Sequence, residues 1–100
     1  MVGSDRRIRI DMNCEHFQDE LWALDMTELK TLQRAMKRVA TLTWAQVQTD
    51  HGLNWERIVG RADFYSIRLN QQARAIVTRQ GEFLRFESLH FDHDSAYGKK

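Results

Sequence analysis

Hydrophobic and polar positions repeat with two different periods along this chain, and the change between them comes near its middle. Arg6 to Asp11 alternates, with Ile8 and Ile10 set against Arg7, Arg9 and Asp11, which predicts a short opening strand. Glu15 to Ala23 carries Phe17, Leu21 and, just beyond, Leu24 at helical spacing, which predicts a short helix. Asp25-Met26-Thr27-Glu28 sets an acid three residues after a good N-cap, the pattern of a capping box. The helix it opens has an apolar stripe of Leu29, Leu32, Met36 and Val39, which needs a core to pack on. Lys30, Arg34, Lys37 and Arg38 lie off that stripe and suit the C-terminal half of the helix dipole. Thr43-Trp44-Ala45-Gln46 repeats the capping pattern for a second short helix, with Gly52 as its expected C-cap.

From Leu53 the period is two. Leu53, Trp55 and Arg57 alternate with Asn54, Glu56 and Ile58, and Tyr65, Ile67 and Leu69 alternate with Phe64, Ser66 and Arg68. Arg74, Ile76 and Thr78 then alternate with Ala73, Ala75 and Val77. Gln80-Gly81 is a hairpin signal before a last strand from Phe83 to Phe91. A strand, helices and then three or four antiparallel strands make an α+β domain. The expectation is one small domain over residues 1–100, with the N-terminal strand and helices packed on a curved antiparallel sheet.

Composition narrows the setting. The chain has 100 residues, 42% hydrophobic and 29% charged, which excludes global disorder. No apolar run approaches the ~20 residues of a membrane span, so no membrane partner is expected. Arg6, Arg7 and Arg9 interrupt any signal-like stretch, which points to the cytoplasm. Cys14 is the single cysteine, so an internal disulfide and a Cys-rich zinc site are both excluded, and a buried, inert thiol is expected. The net charge of +1 argues weakly against broad nucleic-acid binding. Its distribution is uneven: Arg57, Arg61, Arg68, Arg74, Arg79 and Arg85 face only Asp63 and Glu82 in that stretch, while acids gather between Asp11 and Glu28.

The candidate chemistry lies in that basic half. Arg68 closes one strand and Arg74 opens the next, around the polar turn Asn70-Gln71-Gln72. Such arginines are ordinarily solvated or ion-paired, here with Asp63, Glu56 or Glu87 as available partners. His90 is in phase with Leu84, Phe86 and Ser88, which leaves a core histidine and a titrating site residue both open. His90, Asp92, His93 and Asp94 contain metal-ligand types, but a strand end turns neighbours to opposing faces, and no metal is expected. Asp92, Asp94 and Ser95 read more simply as a turn before the tail. His16 and His51 are expected at the surface, and Trp22, Trp44 and Trp55 as core anchors.

The layout, with Tyr65-Ser66-Ile67-Arg68, the turn Asn70-Gln71-Gln72, Arg74, His90 and Tyr97, resembles the RelE/ParE superfamily of toxins from bacterial toxin–antitoxin pairs. Ser66 stands where some members place a lysine, and Phe91 where others follow the histidine with a tyrosine. The resemblance implies a RelE-like fold and a ribosome-dependent messenger-RNA endoribonuclease that inhibits translation, working without a metal or other cofactor. It implies Arg74 and Arg68 on the phosphate, and His90 and Tyr97 as acid, base or base-stacking groups. Arg57, Arg61, Lys99 and Lys100 would contact RNA by charge. It further implies a cognate antitoxin as a separate chain, with the ribosome and messenger RNA as the other partners. Two alternatives stay open: a ParE-like inhibitor of DNA gyrase, and an inactive toxin-fold binding module.

Overall fold

The computed structural model describes residues 6–91. Along them run β1 (Arg9–Asp11), α1 (Glu15–Trp22), α2 (Met26–Ala40), α3 (Trp44–Val47), β2 (Glu56–Arg57), β3 (Phe64–Asn70), β4 (Ala73–Gln80) and β5 (Phe83–Phe91). The strands form one sheet in the order β1-β5-β4-β3-β2. Neighbours from β2 to β5 are antiparallel, and β1 joins the edge parallel to β5, with Arg9 opposite Phe83. The result is a small α+β domain whose antiparallel sheet carries one parallel edge strand.

Local chemistry fixes the helix ends. Asp25 accepts from the Glu28 N–H at 2.8 Å, and the Glu28 carboxylate accepts from the Asp25 N–H at 2.9 Å, closing the capping box at the start of α2. Thr43 and Gln46 do the same for α3, at 3.2 and 3.0 Å. The α3 C-cap is Gln48 rather than Gly52, and the left-handed turn falls instead on Asn54, at φ 48°. At the last hairpin Gly81 takes φ 64° with Gln80 opposite Phe83, the turn that Gln80-Gly81 predicts.

The helices cover one face of the sheet. Phe17 of α1, Leu32 and Val39 of α2, and Trp44 and Val47 of α3 pack with Ile67, Ala75, Val77, Leu84, Phe86 and Leu89. The Phe17 and Phe86 rings lie 5.3 Å apart. At the rim Arg79 stacks on Trp44 at 4.2 Å, Trp44 meets Trp55 edge-on at 6.0 Å, and Trp55 stacks on Tyr65 at 4.5 Å. Cys14 is buried in the same core. Burying this apolar area is the main driving force for the layered fold.

Two apolar expectations fail for a stated reason. Trp22 is 74% exposed, because α1 buries Phe17 and packs Leu21 partly against the core, and the next position is turned about 100° away. Leu29 is also exposed, since the buried face of α2 centres on Thr31, Leu32, Ala35 and Val39. The strand expected over 53–58 pairs only at Glu56–Arg57. Leu53 is instead a core plug, and the left-handed Asn54 interrupts the extended chain after it.

One ion pair ties α2 to this irregular segment. Asp50, whose side chain is 4% exposed, accepts from Arg38 Nε at 3.0 Å and Nη2 at 2.6 Å, and from the Leu53 N–H at 3.0 Å. Burial opposes the carboxylate charge, but the hydrogen bonds from Arg38, Leu53 and Gly52 outweigh it. The Asp50 carboxyl therefore titrates below its usual range.

Candidate functional site

The face of the sheet away from the helices is open, and the hairpin between β3 and β4 places its arginines. Asn70 Oδ1 accepts from the Gln72 N–H at 2.8 Å, a local turn that explains the polar sequence there. Arg68 then faces Arg74 across the strands, and Arg74 faces His90 on β5, so the three stand in one lateral row. The Arg68 N–H points away from β4 and donates to the Leu53 carbonyl at 2.6 Å. Arg68 and Arg74 therefore form the narrow type of antiparallel pair, whose Cα atoms stand only ~4.5 Å apart.

A bulge brings His90 to this face. Ile76 lies opposite Ser88 while Val77 lies opposite Phe86, so Glu87 is an extra residue in β5. The inserted residue reverses the alternation: Leu84 and Phe86 point into the core, and so does Leu89, while His90 is exposed. The core-histidine reading is thereby corrected. Ser88 Oγ lies 2.9 Å from His90 Nε2, a contact that holds one ring nitrogen.

The next row along the sheet runs Glu56, Ser66, Ile76 and Ser88. Together the two rows floor an open cleft of about 890 Å³ whose lining includes Glu56, Arg68, Arg74 and His90. Glu56 is the residue that sequence reasoning undervalued, reading it as a counter-ion. The signal was present, since it alternates out of phase with Leu53 and Trp55 and so belongs to the face away from the core.

The charges of the row are unbalanced. Among the described residues, none of the expected carboxylates forms an ion pair with Arg68 or Arg74. Glu87 accepts from Thr78 Oγ1 at 2.9 Å and lies 3.4 Å from Arg85 Nε, and Glu56 makes only a 3.5 Å contact with Asn54. Among the described residues, neither the Arg68 nor the Arg74 guanidinium has an ion pair or hydrogen bond. Like charges directly opposite on a sheet are destabilising. An anion between the two forks removes that repulsion, and both carboxylate and phosphate groups match guanidinium geometry.

Other candidates fall outside the row. Arg57 lies opposite Tyr65, in the phase of the helix-covered face. Arg61 sits in the loop between β2 and β3, with its guanidinium 3.9 Å from the centre of the Phe64 ring. His16 and His51 are exposed, and His16 lies 3.3 Å from Glu20. Tyr97, Lys99 and Lys100, like the Asp92, His93, Asp94 and Ser95 segment, lie outside the described residues. Among the described residues no helix is long and apolar enough to cross a membrane. Comparisons of the chain with family models, with curated proteins and with solved structures return no match.

Proposed function

We propose that the open face is the active site of an endoribonuclease of the RelE toxin type, which cuts messenger RNA on the ribosome and is neutralised by a separate antitoxin chain. The observation that carries this reading is the pair of opposed arginines in register with His90, without a carboxylate partner among the described residues. The wording Tyr65-Ser66-Ile67-Arg68 and Arg74 supports the toxin type.

The chemistry follows from what the cleft collects. The RNA 2′-hydroxyl attacks the adjacent phosphorus, giving up its proton, and the bond to the 5′-oxygen breaks as that oxygen gains one. The products are a 2′,3′-cyclic phosphate and a 5′-hydroxyl. Arg68 and Arg74 neutralise the charge that builds on the phosphorane, and removal of such a donor costs about 10²–10³ in rate. Glu56 is the base for the 2′-hydroxyl, and protonated His90 is the acid for the leaving oxygen. The strands that carry them are about 14 Å apart. The two groups thus address the phosphate from opposite flanks, with the arginines between. Water returns the proton balance of both after each cut.

The test is induced expression of the wild type and of Arg74→Ala in bacteria, with growth followed and messenger-RNA 5′ ends mapped. Growth arrest with new in-frame cuts, both lost in Arg74→Ala, is the expected result. Arrest without cuts, retained by Arg74→Ala, overturns it in favour of a gyrase inhibitor. No arrest at all identifies a binding module.

A further inference from the structure

We infer that Arg61 and Phe64 form a preassembled stacking subsite for one nucleobase of a single-stranded RNA whose phosphate lies on the Arg68–Arg74 row. This inference rests on the nuclease reading above and adds to it a place where the substrate is held by a base rather than by charge.

The loop from Ile58 to Asp63 is built to put a guanidinium on a ring. The Ile58 N–H donates to the Phe64 carbonyl at 3.0 Å, and the Phe64 N–H donates to the Arg61 carbonyl at 3.3 Å. The Arg61 N–H donates to the Ile58 carbonyl at 3.3 Å, closing a tight turn inside the hairpin. Two left-handed residues make that path possible, Gly60 at φ 85° and Asp63 at φ 65°. Gly60 takes this conformation freely, whereas Asp63 pays about 1 kcal/mol or more for it. The outcome is Arg61 folded back over Phe64, 3.9 Å from the ring centre.

Phase places the stack on the correct side. Phe64 lies opposite Thr78 and alternates with Tyr65 and Ile67, so it shares the open face with Ser66 and Arg68. It stands about 13 Å along β3 from Arg68, a span of a few nucleotides. Arg61 is exposed, and among the described residues its guanidinium has no carboxylate partner. Its guanidinium carbon lies over the Phe64 ring while the residue as a whole stays exposed. A guanidinium plane held in this way is a surface on which an unstacked base settles, and every base has a π-face to offer it. Because the stack exists before RNA arrives, little further ordering is needed on binding.

The test is fluorescence anisotropy with two labelled probes up to millimolar protein, a 2′-O-methyl octaadenylate that cannot be cut and an abasic ribose-phosphate octamer. Arg61→Lys keeps the charge without the plane, and Phe64→Leu keeps the apolar packing without the ring. Each is expected to weaken octaadenylate binding about tenfold while leaving the abasic octamer unchanged. Arg74→Ala is expected to weaken both probes. If Arg61→Lys and Phe64→Leu bind both probes like the wild type while Arg74→Ala weakens both, the stacking subsite is overturned and the phosphate row stands. If the wild type binds neither probe, the subsite is overturned, while the cutting test in cells decides the ribosomal nuclease reading separately.

Discussion

Arginine serves this domain under two opposite arrangements. Arg38 closes on Asp50, a carboxylate also held by the Leu53 N–H, so charge and hydrogen bonds are satisfied within the fold. Arg68 and Arg74 face each other across the narrow kind of strand pair, with no carboxylate on either among the described residues. The first arrangement fastens α2 to the segment that enters the sheet. The second weakens the sheet locally and gains nothing until an anion arrives. On the proposed reading, a local rule of sheet stability is broken at the site.

The contrast yields measurable differences. The largest effect belongs to Arg74→Ala in RNA cutting, a fall of about 10²–10³ in rate with no loss of thermal stability. A matching fall in Tm would move Arg74 into the structural class. Next, Asp50→Ala should lower unfolding stability by about 2–3 kcal/mol, because Arg38 and the Leu53 N–H lose their acceptor together. Chemical denaturation measures it, and a change below about 0.5 kcal/mol would remove the pair from the account of stability.

A smaller effect lies in the pH dependence of stability. The folded carboxyl of Asp50 titrates below its unfolded counterpart, so its contribution is fully present above the unfolded pKa and is lost as pH falls through the folded one. Asp50→Asn should therefore flatten the acid limb of a stability profile below about pH 4, and an unchanged limb would refute the assignment. The smallest effect on stability is that of Arg68→Glu. It should raise stability by a few tenths of a kcal/mol by replacing a cross-strand repulsion with an attraction, while abolishing RNA cutting. A clear loss of stability would show that the arginine pair is held by something other than its own repulsion.

Much of the fold was legible because its signals are local. Capping boxes at Asp25 and Thr43, the turn at Asn70-Gln71-Gln72 and the glycine at position 81 act within a few residues, and each appears where its chemistry demands. The arginine row was half legible: the turn between Arg68 and Arg74 fixes their pairing, but their lack of partners among the described residues depends on where Glu87 and Glu56 lie. The facing of His90 was not legible at all. Strict alternation put it with Phe86, and a single inserted residue, Glu87, reversed it, which no period-two count reveals. Trp22 went astray for a similar reason, since its size suggested the core while its helical phase turned it outward.

Beyond Arg85 the outer margin of β5 is no longer covered by β1, which pairs only from Phe83 to Arg85. There the carboxylate of Glu20, reaching over from α1, accepts the Leu89 N–H at 2.7 Å. A strand margin without a paired neighbour invites another chain to add itself, and copies of the same protein are the nearest candidates. A carboxylate on the Leu89 amide, with the Cys14 thiol 3.7 Å from the Glu87 carbonyl, leaves fewer free groups there for such pairing. The expected consequence is a lower tendency of copies to pair along this margin. Glu20→Ala should raise that tendency, seen as concentration-dependent light scattering before any change in secondary structure.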